Sequence, residues 1–441
     1  MKRIFLALAL LSPALAGAQD LRHPWTLREC LDWALDHNLT VKQSELNVAQ
    51  REIQLNTSEN SWLPNLSGSV NESLNFGRGL TADNTYTSAN TTSTSFSIGG
   101  GMNLFDGLAT PNNIALARLN LEAATKDLEK IRDDIRVAVA RAYVQVLYDY
   151  EIVDVARKQI ELDDAQVARL EALAATGKAA QAEVSQQKAS RAQSGVTLVQ
   201  AENNLRLALL DLAQLLEFSS SEGFSIERPV VEVDEIVLDM PERIFADAMD
   251  VRPAVLAEEI RLKGTDKSLK IAQAAQYPSL NLSGGVGTNY YTNSKAVYPQ
   301  DKFWDQLSHN FSPYIGISMS VPIFTRFQTR NNIRSARLNQ ELQQIQLDKA
   351  KQSLYKEIQQ AWSNAVAAEA KFRSSSEAAT AAEDAFRLTQ AKYENGKATI
   401  TEFNESRNQL LKTQSDRVQA TYEYLFQSKL LDFYRGDALA L

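Results

Sequence analysis

"NNIALARLN" occupies residues 112–120, and "NNIRSARLN" occupies residues 331–339, 219 positions further on. Held at that offset, Phe105–Asn120 and Phe324–Asn339 share nine of 16 residues, from Phe105 and Thr110 through to Asn120. The same offset aligns Gly177-Lys178-Ala179 with Gly396-Lys397-Ala398, and Glu183 with Glu402. Loops tolerate insertions, whereas lengths fixed by packing against a partner do not. An offset kept over this span therefore marks two rigid stretches of matched length. Upstream, "WLPNLSG" (62–68) echoes "YPSLNLSG" (277–284). The chain reads as a tandem duplication, roughly 26–216 and 241–435, joined by a linker at 217–240, with a short tail at 436–441.

Each half has the same layout. A helical lead-in comes first: "TLRE" (26–29) has the form of a capping box, with Thr26 capping and Glu29 reaching back. Leu31, Leu35 and Leu39 follow at helical spacing, and Pro64 and Pro278 close the lead-in helices of the two halves. The period then switches to two. Leu66, Val70, Leu74 and Phe76 alternate with Ser67, Asn71 and Asn75, with Glu72 as the one misfit. Phe96, Ile98, Met102 and Leu104 alternate with Ser95, Ser97, Gly101 and Asn103. Leu280, Leu282, Val286 and Tyr290 form a third set, and Ile315, Ile317, Met319, Val321 and Ile323 a fourth. Such alternation predicts strands with one apolar and one polar face. They pair as β-hairpins over about 64–106 and 278–324, with polar loops at about 77–94 and 292–312.

A long helix follows each hairpin. Asn112–Thr176 and Thr325–Tyr393 contain neither Gly nor Pro, and at the usual rise such helices are ~100 Å long. Ile358, Ala361, Ala365, Ala368 and Phe372 step by three and four, as do Leu128, Ile131, Ile135, Ala138 and Ala142. This is the seam of a coiled coil. Gly177 and Gly396 reverse the chain, and return helices at about 178–216 and 397–435 complete two helical hairpins, over about 111–216 and 325–435. The fold class is α+β, mostly α.

Composition narrows the function. The 441 residues carry a net charge of -8, and an acidic chain is a poor nucleic-acid binder, because phosphate contacts need clustered Lys and Arg. Lys2 and Arg3, the apolar run Ile4–Leu11 and Ala16-Gly17-Ala18 make a secretory signal peptide over 1–18, so the mature chain is exported. The one cysteine, Cys30, falls on a helical apolar pattern and is expected to be buried. No later run reaches the ~18 apolar residues of a membrane-spanning helix. His23, His37 and His309 are scattered, with no partner at metal-ligand or triad spacing. No catalytic residue, metal or cofactor is expected.

Four alternating strands with an apolar outer face set a constraint. Open sheet edges are not tolerated in lipid, and the smallest outer-membrane barrels have about eight strands. A barrel must then be shared between chains, and three copies supply twelve strands. A soluble structural or adhesive coiled coil with a small sandwich is the other reading of the helices. It gives no role to the alternation, and fractionation separates the two, since a membrane duct stays with outer membranes through salt and urea washes.

The signal peptide, the tandem repeat and one β-hairpin followed by one long helical hairpin per half resemble the TolC-like outer-membrane efflux protein family over about 25–435. "TLRECLDWALDHN" and "VRP" (251–253) fit in order and spacing. The resemblance implies a homotrimer, with a twelve-strand barrel in outer-membrane lipid continued by a periplasmic α-helical barrel. The lead-in helices and the 217–240 linker would form an equatorial girdle. It implies the exit duct of a tripartite efflux or type I secretion system, working with a periplasmic adaptor and an inner-membrane pump of RND, ABC or MFS type. Glu402 and Glu405 match the acidic residues that form the family's periplasmic constriction. Tyr393 and Glu183 match positions in the links that close the tip. Gly177, Lys178, Gly396 and Lys397 mark the hairpin turns that meet the adaptor. A basic residue of the closing links falls at Ala398 here, with Lys397 beside it as the alternative cation.

Overall fold

A computed structural model describes residues 23–80, 85–229, 239–296 and 299–439. The expected signal peptide at 1–18, residues 230–238 of the linker and the last two residues of the tail lie outside them. The first half runs α1 (Leu27–His37), α2 (Leu39–Glu59), β1 (Asn65–Asn75), β2 (Arg78–Leu80), β3 (Tyr86–Ser88), β4 (Thr91–Phe105), α3 (Ala109–Ala175) and α4 (Gln181–Leu215). The second runs α5 (Pro241–Val251), α6 (Pro253–Ala274), β5 (Ser279–Asn293), α7 (Phe303–His309), β6 (Ser312–Ser320), α8 (Gln328–Glu394) and α9 (Ile400–Arg435). Helices α3 and α8 each have 67 residues, the matched length that the constant offset demands. The chain forms two compact units, one from residues up to Glu45, Leu128–Pro253 and Lys351–Leu441, the other from Leu46–Asp127 and Ala254–Ala350. Each unit draws on both halves.

The second unit holds an antiparallel sheet in the order β1-β4-β5-β6. Its register puts Leu66, Val70 and Leu74 on the same face as Ile98 and Met102, Leu282 and Val286, and Ile315 and Ile317. Away from α7, much of this face is exposed: Ile315 is 81% exposed and Leu66 is 78% exposed. Ser, Asn and Gly dominate the opposite face, where Ser69 and Ser97 hydrogen-bond at 2.8 Å. The misfit Glu72 lies in the row of Thr94 and Tyr290, near the loop end of the apolar face rather than in its middle. Gly100 is required by packing, because a Cβ there would collide with the Asn65 carbonyl oxygen.

Several boundaries differ from the expected ones. Strand β6 ends at Ser320, so Val321 and Ile323 are not part of it; Pro322 has no N–H for a ladder. Helix α3 starts at Ala109 and takes Pro111 into its first turn, where the missing N–H costs nothing. Helix α8 starts at Gln328 because Arg326 and Phe327 have φ of 52° and 61°, left-handed values that end the preceding segment. Their equivalents at the same offset, Gly107 and Leu108, have φ of 67° and 71°, so both strand-to-helix turns share one backbone path. The loop expected at 292–312 contains α7, and the loop expected at 77–94 contains the β2–β3 hairpin.

In the first unit, Ile358, Ala361, Ala365 and Ala368 are all buried, as a coiled-coil seam requires. The seam of α3 follows its spacing at Leu128, which is buried, and then departs from it. Ile131, Ile135, Ala138 and Ala142 are half-buried, and the buried set there is Val139, Tyr143 and Val146 with Ala140, Val144 and Leu147. These fall on two adjoining stripes because the lead-in and linker also pack here. The Tyr143 hydroxyl donates to the carbonyls of Trp25 (3.2 Å) and Glu227 (2.9 Å). The capping box of α1 forms as its sequence dictates: Glu29 N–H donates to Thr26 Oγ1 at 3.2 Å, and Thr26 N–H donates to Glu29 Oε2 at 2.8 Å. Cys30 beside it is fully buried, and that burial pushes its thiol up to about 12.

Candidate functional site: the helical tip

Both helical reversals have the same geometry. Gly177 and Gly396 each have φ of 70°, a conformation that glycine adopts without penalty. Lys178 N–H donates to the Leu173 carbonyl at 2.8 Å, and Lys397 N–H donates to the Lys392 carbonyl at 2.8 Å. These bonds close the ends of α3 and α8 in the manner of a Schellman motif. The side chains of Lys178 and Lys397 are exposed.

The helices that leave the turns begin differently, and one side chain accounts for it. Thr399 caps α9: its Oγ1 accepts from Glu402 N–H at 3.2 Å, and Glu402 Oε2 accepts from Thr399 N–H at 2.7 Å. Hydrogen bonds from the backbone and hydroxyl of Thr399 hold the Glu402 carboxyl below the usual carboxylate range. The cap is therefore fully formed above the unfolded pKa and is lost as pH falls through the lower, folded value. Glu402 is thus a capping residue as well as an exposed acid. Glu405, one turn on, is exposed too. At the equivalent position, α4 has Ala180 as its cap, with no side-chain bond, which leaves the Glu183 carboxylate outside any capping box.

Tyr393 lies near that carboxylate. Burial, then the charge of Glu183, raises the Tyr393 hydroxyl above its ordinary value, and Arg169 opposes the shift. The ring stacks on Phe403 with centroids 4.9 Å apart. The Arg169 guanidinium sits 5.5 Å from the ring centre and donates to the Glu394 carbonyl at 3.2 Å. Tyr393 and Glu183 are thus brought together, while the cation against Tyr393 is Arg169 of α3 rather than a residue of the 396–398 turn. Ala180→Thr is expected to create the missing capping box with Glu183. It should stabilise the start of α4 by ~1 kcal/mol, read as slower amide exchange at 182–184.

The strongest polar cluster of the tip escaped the sequence reading. Arg407 of α9 and Asp163 of α3 form an ion pair whose side chains are 3% and 0% exposed. Arg407 also donates to Ser190 Oγ at 2.7 Å. Asp163 accepts from Ser194 Oγ at 2.6 Å and from Gln187 Nε2 at 3.2 Å. Three helices from both hairpins meet at this pair. The signal that could have found it is a polar run on an apolar stripe: Gln159, Asp163 and Gln166 continue the buried positions Val153 and Ala156 towards Leu170.

The histidines have structural surroundings. His37 stacks on Trp33 with centroids 3.6 Å apart, His23 stacks on Trp25, and His309 lies 3.3 Å from Asp301. Among the described residues, no group of three or more His, Cys, Asp or Glu is placed to hold a metal, and no helix is long and apolar enough to cross a membrane.

Comparison with known proteins agrees with this geometry. The outer membrane efflux protein family model matches residues 30–216 and 245–436. The outer membrane efflux protein BepC of Brucella suis is 22% identical over 408 residues, covering 92% of this chain and 84% of BepC. The structure of VceC from Vibrio cholerae aligns over 94% of this chain and 97% of its own, with a TM-score of 0.77 at 19% identity. The open-state MtrE channel of Neisseria gonorrhoeae aligns over 93% of this chain and 88% of its own, with a TM-score of 0.72. The chain belongs to the outer membrane efflux protein family. It is an outer-membrane exit duct of the kind that works in tripartite efflux systems with an adaptor and a pump, and the family's members are channels rather than enzymes.

Proposed function

We propose that three copies of this chain close one twelve-strand barrel in the outer membrane, with the polar sheet face lining the conduit. The observation that carries this reading is the sheet itself. It has one largely exposed apolar face and one Ser/Asn/Gly face, and β1 and β6 stand at its two edges. An edge left open in lipid costs several kcal/mol per unsatisfied group, and pairing β6 of one copy with β1 of the next removes both edges. Native mass spectrometry in detergent is expected to give a stable trimer, and a stable monomer would overturn the shared barrel.

The helical tips gather at the periplasmic mouth in this reading. Three copies of Glu402 and Glu405 form an acidic constriction, Tyr393 and Glu183 help hold it shut, and the turns at Gly177-Lys178 and Gly396-Lys397 meet the adaptor. The pump behind the adaptor is of RND, ABC or MFS type. The exposure of both carboxylates supports the ring, and like-charge rings select cations in other pores. Planar-bilayer conductance tests it. Glu402→Gln with Glu405→Gln should weaken cation preference and block by trivalent ions, while the trimer stays folded, because Gln can still close the capping box with Thr399. An unchanged preference would remove these residues from the constriction.

A further inference from the structure

Helix α7 lies on the apolar face of the sheet. The Phe303 ring is 5.0 Å from the Tyr290 ring and 6.3 Å from the Phe96 ring, and both partners belong to that face. The Thr288 hydroxyl, also on that face, donates to the Leu307 carbonyl at 2.7 Å. Gln306 covers the stretch of β5 that β6 does not reach: its Oε1 accepts from Tyr291 N–H at 2.8 Å, and its Nε2 donates to the Tyr291 carbonyl at 3.0 Å. Asn310 Nδ2 donates to the Asn289 carbonyl at 2.8 Å. The segment is thus fixed against the sheet, yet it presents Trp304 77% exposed, with its ring 5.2 Å from that of Phe303.

The level of α7 along the strands follows from the register. Helices α2, α3, α6 and α8 all join the sheet at its other end, by Leu66, Met102, Leu280 and Met319. Leu280 and Tyr290 are ten residues apart on β5. That is ~33 Å at the usual strand rise, and ~25 Å along the membrane normal at the tilt of outer-membrane barrels, the height of their apolar band. Tyr290 and Phe303 therefore mark the outer limit of the band, and Glu72, near the loop end of β1, lies towards that limit, where a carboxylate reaches the headgroups. Trp62, Tyr277 and Phe324 are exposed near the helix end of the sheet, which gives the band an aromatic border at both limits.

We infer that α7 is an interfacial anchor, and that Trp304 inserts into the outer leaflet at the boundary between headgroups and acyl chains. Tryptophan favours that level because its ring is apolar and its N–H is polar. The occupant is membrane lipid because α7 is continuous with the apolar sheet face; the inference therefore rests on the barrel reading above.

The full-length protein in phosphatidylcholine vesicles with brominated acyl chains tests this. The Trp304 signal is the wild-type emission minus that of Trp304→Phe. Bromines near the headgroup end of the chain should remove most of it, while bromines near the chain end and aqueous iodide remove little. An Ile315→Trp variant, read against wild type, reports the middle of the apolar face and should be quenched by the deep bromines. If that reporter is quenched and Trp304 answers only to iodide, α7 stands in water and the anchor is wrong while the barrel survives. A Trp304 signal quenched by neither agent means packing against protein, and one quenched chiefly by deep bromines means burial below the interface; either overturns the anchor. If the Ile315→Trp reporter also answers only to iodide, the barrel reading falls with it.

Discussion

Arg407→Leu is expected to strip amide-exchange protection from α9 across Phe403–Leu410 and to destabilise the tip by ~3–5 kcal/mol. The reason is what it leaves behind. Asp163 is fully buried, and without the guanidinium its carboxylate retains only Ser194 and Gln187 as donors. A buried charge stripped of its counter-charge costs far more than the pair contributed. Asp163→Leu should do similar damage from the other side, leaving Arg407 with the neutral acceptors Ser190 Oγ and Asn408 Oδ1. The double replacement Asp163→Leu, Arg407→Leu separates this account from general packing damage. The pair is imperfectly satisfied, since Arg407 Nε has no hydrogen-bond partner among the described residues, and an apolar pair in such a place is often neutral or better. The double variant should therefore regain most of the protection that either single loses. Equal loss in all three would mean that the helices are held by shape and not by this pair.

This pair also shows where reading the sequence stops. The duplication, the strands and the α1 capping box rest on local signals: a constant offset, a period of two, and Thr26 three residues before Glu29. The link between Asp163 and Arg407 spans 244 positions, and the duplication does not repeat it. The equivalents at the 219 offset are Ala382 and Lys188, so comparing the halves hides it. The α3 seam leaves its heptad spacing beyond Leu128 for a related reason. A heptad count assumes one partner, whereas α3 near Tyr143 also meets the lead-in and the linker. Helix α7 has seven residues, too few for a helical period to stand out, and its position is set by side chains reaching the edge of β5. In the tip, resemblance points to Tyr393 and Glu183, and the charge of Glu183 does act on the Tyr393 hydroxyl, but the cation against the Tyr393 ring is Arg169, which no motif marks.

The second large effect separates the two faces of one strand. Ile315→Lys should reduce insertion of the folded protein into vesicles, at ~2–4 kcal/mol per chain for a lysine near the midplane. Ile315 pairs with Gly284, which lies between Leu280 and Tyr290 on β5, within the apolar band, with no neighbour on that face to receive an ammonium. Ser318→Lys, three residues along β6, places the same charge on the opposite face, because successive residues alternate. There the neighbours are Asn281 in register and the polar row beyond it, and water in a conduit would hydrate the charge. This second variant should insert as well as wild type and shift ion preference towards anions. Urea titration of the folded fraction in vesicles measures the first effect, and reversal potential under a salt gradient measures the second. Equal loss of insertion for both variants would mean that neither face meets water, as in a closed sandwich. Equal tolerance would mean that neither face meets lipid. Only a sheet that separates lipid from an aqueous passage predicts that lysine is excluded at Ile315 and accepted at Ser318.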